Sequence, residues 1–124
     1  MTASSPSKAE RYLSHIVENA ERIAAYLHGL DQAAYGSDLK TQDAVERCLQ
    51  RIAEAADRIS KQGAQHLIPG LPWHDVQSLG NRLRHEYDGL DTSILWETLR
   101  NELPLLKEQC LEALAKLQSS KLAG

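Results

Sequence analysis

The chain has 124 residues, a length that suits one domain built on a single core. Apolar residues make up 42% and charged residues 25%, the balance of an ordinary soluble globular protein, and the longest apolar runs fall well short of a membrane span. The formal net charge of −3 argues against broad, nonspecific binding to nucleic acid, which needs a basic face, but leaves room for one local basic site.

Helix signals dominate from the start. Ser5-Pro6 has the form of an N-cap followed by proline at the first helical position. Leu13, Ile16, Val17, Ala20, Ile23, Ala24 and Leu27 then recur at three- and four-residue steps, the apolar face of a helix ending near Gly29. A loop with a short helical turn is expected over 30–37. A second long helix follows from about Asp38 to Lys61, striped by Val45, Leu49, Ile52, Ala53, Ala56 and Ile59. Two antiparallel helices of this length define a bundle. On the second helix Arg47, Arg51 and Glu54 are placed to approach a cleft, while Glu54 and Arg58, four residues apart, read more simply as a surface ion pair.

Residues 62–72 form a connector containing Gly63, Pro69, Gly70 and Pro72. Trp73, Val76, Leu79 and Leu83 mark a third helix from about Pro72 to Glu86, broken by Asp88-Gly89. Asp91 can cap a helix through about Asn101 carrying Ile94, Leu95, Trp96 and Leu99. Pro104 opens a last helix with Leu106, Cys110, Leu114 and Leu117 inward, and residues 119–124 are expected to fray. The expected fold is all-α, an up-and-down bundle with two long antiparallel helices and two to three shorter ones. It forms one domain over 1–124 with its core over about 6–118.

Cys48 and Cys110 lie far apart, each within an apolar stripe, and read as buried reduced thiols. The N-terminal Met-Thr-Ala-Ser-Ser-Pro lacks a charged-then-apolar signal pattern, so the expected location is the cytoplasm. His15, His28, His66, His74 and His85 show no His-Glu-x-x-His pattern and no ligand pair four residues apart. His74-Asp75 falls at a helix start, where Asp has an ordinary capping role. No metal site and no cofactor are expected. Neither a Gly-x-Ser-x-Gly elbow nor a glycine-rich phosphate loop is present.

The chemistry concentrates in Asn81-Arg82-Leu83-Arg84-His85-Glu86-Tyr87-Asp88. Arg offers a permanent charge and a planar donor fork for phosphate, and His can exchange a proton near neutrality. On a helix turning ~100° per residue, Leu79 and Leu83 share a core face and His85 lies about 200° from Leu83. Asn81 falls about 40° and Arg82 about 60° from His85, so the three form one polar face with Arg84 on its flank. A phosphate clamp beside a proton-transfer group suffices to cut RNA without a metal; a solvated helix face is the plainer reading of the same residues.

This segment resembles the motif of the HEPN superfamily, and in particular its HepT-like ribonuclease toxins: Arg, four residues, His, one residue, Tyr, with Asn commonly after the Arg. Asn81, His85 and Tyr87 match. So does a framework of Asp43-Ala44-Val45-Glu46-Arg47, Ile52-Ala53-Glu54-Ala55, Leu71-Pro72-Trp73, Trp96 and Glu102-Leu103-Pro104-Leu105-Leu106, over about residues 10–115. Two positions depart: Gly80 stands where the motif has Arg, and Ala53 where Gly usually precedes the second-helix Glu. The resemblance implies a metal-independent endoribonuclease acting on RNA as a homodimer with a composite cleft. His85 would be the general acid or base, Arg82 or Arg84 the phosphate stabiliser in place of Gly80, and Asn81 the orienting group. It also implies a partner, an MntA-like nucleotidyltransferase antitoxin that transfers AMP to the motif tyrosine, here Tyr87. The alternative that Gly80 leaves open is a noncatalytic HEPN module that pairs with a nucleotidyltransferase.

Overall fold

A computed structural model describes residues 7–63, 66, 76 and 92–123. The first helix, α1, runs Lys8–Leu27 and begins at Ser7. Ser7 Oγ accepts from the Glu10 amide at 3.2 Å, and the Ser7 amide donates to Glu10 Oε1 at 3.4 Å. This reciprocal pair satisfies two of the amides that a helix start leaves unbonded, which is why Ser7, with Glu three residues on, is the cap. The Ser5-Pro6 start expected from sequence lies outside the described residues. Gly29, at φ +78°, turns the chain away from the helix in a conformation that disfavours a side chain.

The short helix α2 (Gln32–Gly36) is capped by Asp31, whose Oδ1 accepts from the Ala34 amide at 2.8 Å. The long helix α3 (Leu39–Lys61) is capped by Asp38, which accepts from the amide and hydroxyl of Thr41 at 3.0 and 2.7 Å. These bonds, the hydroxyl bond foremost, hold the Asp38 carboxyl below its ordinary pKa. Arg58 and Lys61 sit in the last turn of α3, the favourable end of the helix dipole for a cation.

Helices α1 and α3 pack along each other in antiparallel fashion: Tyr12 near the start of α1 meets Arg58 near the end of α3. Leu13, Ile16 and Ile23 of α1 and Val45, Cys48 and Ile59 of α3 are almost wholly removed from water. Burial of such side chains stabilises by roughly 1.5–3 kcal/mol each, so this seam supplies much of the core. The two apolar stripes read from sequence are the buried ones, with one exception. Ala24 is exposed and lines a shallow groove between α1 and the last helix.

The C-terminal part departs from expectation. Helix α4 (Thr92–Glu97), a π-helical turn (Thr98–Glu102) and helix α5 (Leu103–Ala123) form one uninterrupted helical run, not two helices parted at Pro104. The Leu103 amide bonds to the Thr98 carbonyl, five residues back. Pro104 has no amide hydrogen and its ring crowds the carbonyl four residues earlier, that of Arg100; a widened turn relieves this crowding without ending the helix. Ile94 is 60% exposed because the short α4 turns Leu95 inward, and Leu95 and Leu99 carry the contact. On α5, Cys110 and Ala113 are buried while Leu106, Leu114 and Leu117 are half-buried against the core. The helix continues to Ala123, past the point where fraying was expected. Helix α5 packs against α1, and Lys107 Nζ lies 3.7 Å from Glu21 Oε1.

The described residues contain helices and no strand, so the fold is all-α. Among them no helix is long and apolar enough to cross a membrane. Both cysteines are buried and unbonded, as their stripes predicted.

Candidate functional site

The segment with the strongest chemical signal, Gly80, Asn81, Arg82, Arg84, His85 and Tyr87, lies outside the described residues, as do Trp73, His74 and Asp75. Of the helix expected over about 72–86, Val76 is described; it is helical and packs half-buried against the core. That inward position fits the stripe to which the sequence assigned it.

The described residues do form a polar groove of about 570 Å³ between α1 and α3. Helix α3 contributes Arg47, Arg51, Glu54 and Arg58, spaced so that all four fall along one line of the helix. Glu54 and Arg58 are the surface pair expected from their spacing: Arg58 Nη2 lies 3.0 Å from Glu54 Oε1, with both side chains about half exposed. Such an exposed pair is screened by water and salt and adds little to stability. Its effect is local. The Glu54 carboxylate, and after it Tyr12, favours the charged guanidinium and raises the Arg58 pKa further above its ordinary value.

Arg58 also lies over the ring of Tyr12, 6.0 Å from its centroid. Arg47 Nη1 donates to Gln50 Oε1 at 3.2 Å. Arg51 is exposed and makes no hydrogen bond or ion pair among the described residues.

Helix α1 contributes Tyr12, His15 and Asn19 to the facing wall. The Tyr12 and His15 rings meet edge to face with centroids 6.2 Å apart. Asn19 is buried, 5% exposed, and its Nδ2 donates to the His15 carbonyl at 2.8 Å. Its Oδ1 is buried without a hydrogen-bond partner among the described residues. An unbonded buried acceptor costs roughly 1–3 kcal/mol, so the position is not chosen for stability alone.

Arg47, Arg51 and Glu54 are expected from sequence to approach a cleft; the facing wall from α1 is not. The available signal was Asn19, a polar residue within the apolar stripe between Val17 and Ala20. With Tyr12 and His15 it falls at helical spacing. Among the described residues no cluster of His, Cys, Asp and Glu could hold a metal ion.

A helical bundle with this order of framework residues defines the class, and comparison with known proteins defines the family. Residues 16–113 match the family described as "Ribonuclease HepT-like", and the chain belongs to that family. The matched span agrees closely with the 10–115 over which the sequence carries the HepT-like pattern. A Thermococcus cleftensis protein named "Probable ribonuclease HepT" is 34% identical over 96 residues, covering 77% of this chain and 86% of the relative. A Caldanaerobacter subterraneus protein, named as a "Putative RNase", is 30% identical over 105 residues, covering 85% of this chain and 93% of the relative. No solved structure matches the chain.

Proposed function

We propose that this protein is a metal-independent endoribonuclease, the toxin of a pair whose antitoxin is an MntA-like nucleotidyltransferase. The observation that carries the reading is His85, held within the HepT-like order Asn81, His85, Tyr87 in a chain of the ribonuclease HepT-like family. Names given to the relatives, as ribonucleases, support RNA as the substrate.

His85 takes the proton of a ribose 2′-hydroxyl, whose oxygen attacks the adjacent phosphorus, and the bond from phosphorus to the 5′-oxygen breaks. The leaving oxygen needs a proton, and in a homodimer the two copies of His85 can divide the roles of base and acid. Arg82, with Arg84 beside it, stabilises the additional negative charge of the phosphorane in the absence of an arginine at position 80. Asn81 orients the imidazole or a phosphate oxygen. The products are a 2′,3′-cyclic phosphate and a 5′-hydroxyl, and DNA, which lacks the attacking hydroxyl, resists cleavage. Pairing two such faces doubles the positive charge at the scissile phosphate, a physical motive for dimerisation.

Tyr87 is the proposed site of AMP transfer by the antitoxin. A phenol is neutral at pH 7; an attached AMP brings negative charge and bulk beside the cleft and repels substrate phosphate.

Gly80 favours a second reading, a noncatalytic module that binds a nucleotidyltransferase through the same face. The deciding experiment is cleavage of total cellular RNA in EDTA by the wild-type protein and by His85→Ala. Cutting that disappears in the variant supports the ribonuclease. Failure of folded, unmodified wild-type protein to cut RNA favours the binding module.

A further inference from the structure

We infer that the groove between α1 and α3 is a second RNA contact, a track for the phosphodiester backbone of a single strand. The inference rests on the proposed reading only in that RNA is the nucleic acid this protein engages, whether or not it is cut. Among the described residues, three guanidinium groups, Arg47, Arg51 and Arg58, face one carboxylate, Glu54, a local excess of two positive charges along the groove. The whole chain has a formal net charge of −3, so this is a concentrated departure from the average surface. The row from Arg47 to Arg58 extends about 16 Å along the helix axis, enough for several phosphates in succession instead of one.

Arginine is the suited cation: its planar fork bonds two phosphate oxygens at once and keeps its charge at any working pH. Arg51 is uncommitted among the described residues and exposed, ready for an anion. Arg58 is now shared with Glu54, and a backbone phosphate competes for it. The opposite wall has the complementary chemistry. The exposed His15 ring, held edge to face against Tyr12, offers a surface on which a base stacks without regard to sequence. Asn19, in the same wall, holds a buried acceptor oxygen without a partner among the described residues, which a ribose hydroxyl or a base N–H reaches when the side chain turns outward. Cationic row, aromatic rim and unsatisfied acceptor together describe a single-strand track.

The test is equilibrium binding of a fluorescent, 2′-O-methylated RNA 12-mer, which cannot undergo 2′-hydroxyl attack, to the intact protein over a range of salt. The Arg47→Ala/Arg51→Ala variant is expected to bind at least about tenfold more weakly. Its log–log salt slope should flatten by about 1.4, the value for two single-strand phosphate contacts. Glu54→Gln, which removes the competing carboxylate, is expected to bind about two- to fivefold more tightly, a gain that misfolding cannot mimic.

Wild-type affinity and slope in the double variant overturn the groove while leaving the ribonuclease intact, provided the wild type cuts natural RNA. Weaker binding by both variants assigns the loss to damaged packing and overturns it as well. Displacement of the 12-mer by an equal concentration of AMP indicates a single-phosphate pocket and overturns the strand track. A wild type that neither binds nor cuts RNA removes both readings. Binding through the arginines in a protein that cuts no RNA keeps the track and removes the catalytic reading.

Discussion

The Tyr35 ring lies 5.5 Å from that of Trp96, tilted by 35°, and joins α2 to α4. Tyr35 is 0% exposed, yet its hydroxyl has no hydrogen-bond partner among the described residues. The ring therefore supplies packing while the hydroxyl opposes burial. Tyr35→Phe keeps the ring and removes the orphaned group, so it is expected to leave stability unchanged or raise it by up to about 1 kcal/mol. Tyr35→Ala empties the site and is expected to cost about 3–5 kcal/mol. Urea unfolding of the three proteins measures both. A stability loss in Tyr35→Phe comparable with that of the alanine variant would show that the hydroxyl has a partner.

Helix caps make a second prediction, with a pH signature. Ser7→Ala removes an acceptor of the capping box and is expected to destabilise by about 1 kcal/mol. Asp38 differs because it titrates. Its folded-state pKa is depressed, first by the Thr41 hydroxyl, so its contribution is present above the unfolded carboxylate pKa and lost as pH falls through the folded value. Asp38→Asn keeps an acceptor but no charge, and its melting temperature should fall less than that of the wild type on acidification. Parallel acid profiles for the two proteins would show that the Asp38 charge does not contribute.

The bundle was legible because Leu13, Ile16, Ile23, Leu49, Ile52 and Ile59 repeat at helical spacing, and a long amphipathic helix has little choice about which face it buries. Local rules were less decisive where they compete. Proline at 104 reads as a helix start in sequence, but tertiary packing of Leu99 on one side and Cys110 on the other keeps the helix continuous through a widened turn. The arginines of α3 were visible as a group, but the wall that completes their groove belongs to α1. No spacing rule within one helix shows which residues of another helix will face it.

Burial of Cys110 gives an alkaline prediction. The thiol is 0% exposed, and loss of hydration pushes its pKa up to about 12. A raised folded-state value contributes stability that is fully present below the unfolded thiol pKa and lost as pH rises through the folded one. Between the ordinary thiol value and about 12, unfolding should become progressively easier. Tyr35, raised to about 12 by burial and then by Glu46, acts in the same sense over the upper part of that range. Melting curves across alkaline pH should fall more steeply for the wild type than for Cys110→Ala, whatever the offset between the two proteins at neutral pH. A second readout is alkylation: Cys110 should react with iodoacetamide only after unfolding, since the reactive species is the thiolate.

Gly80 offers the most direct test of the proposed chemistry. If the catalytic face lacks a phosphate clamp at this position, Gly80→Arg restores it one residue before Asn81 and five before His85. Arginine is also a better helix former than glycine, by somewhat less than the ~1 kcal/mol that separates alanine from glycine, so the substitution suits the helix expected there. The expected result is faster RNA cleavage in EDTA, by about ten- to a thousandfold if the wild type is weakly active, the scale of a preorganised charge on the developing phosphorane. Arg82→Ala separates the two ways of supplying that charge. In the wild-type background it should abolish most cutting if Arg82 stands in for the missing clamp, as proposed. In the Gly80→Arg background it should cost much less, because the clamp is back in place. Equal losses in both backgrounds would give Arg82 a role independent of position 80. No gain from Gly80→Arg, in protein whose Tyr87 carries no AMP, would count against a phosphate clamp at this position and strengthen the reading of the motif face as a docking surface.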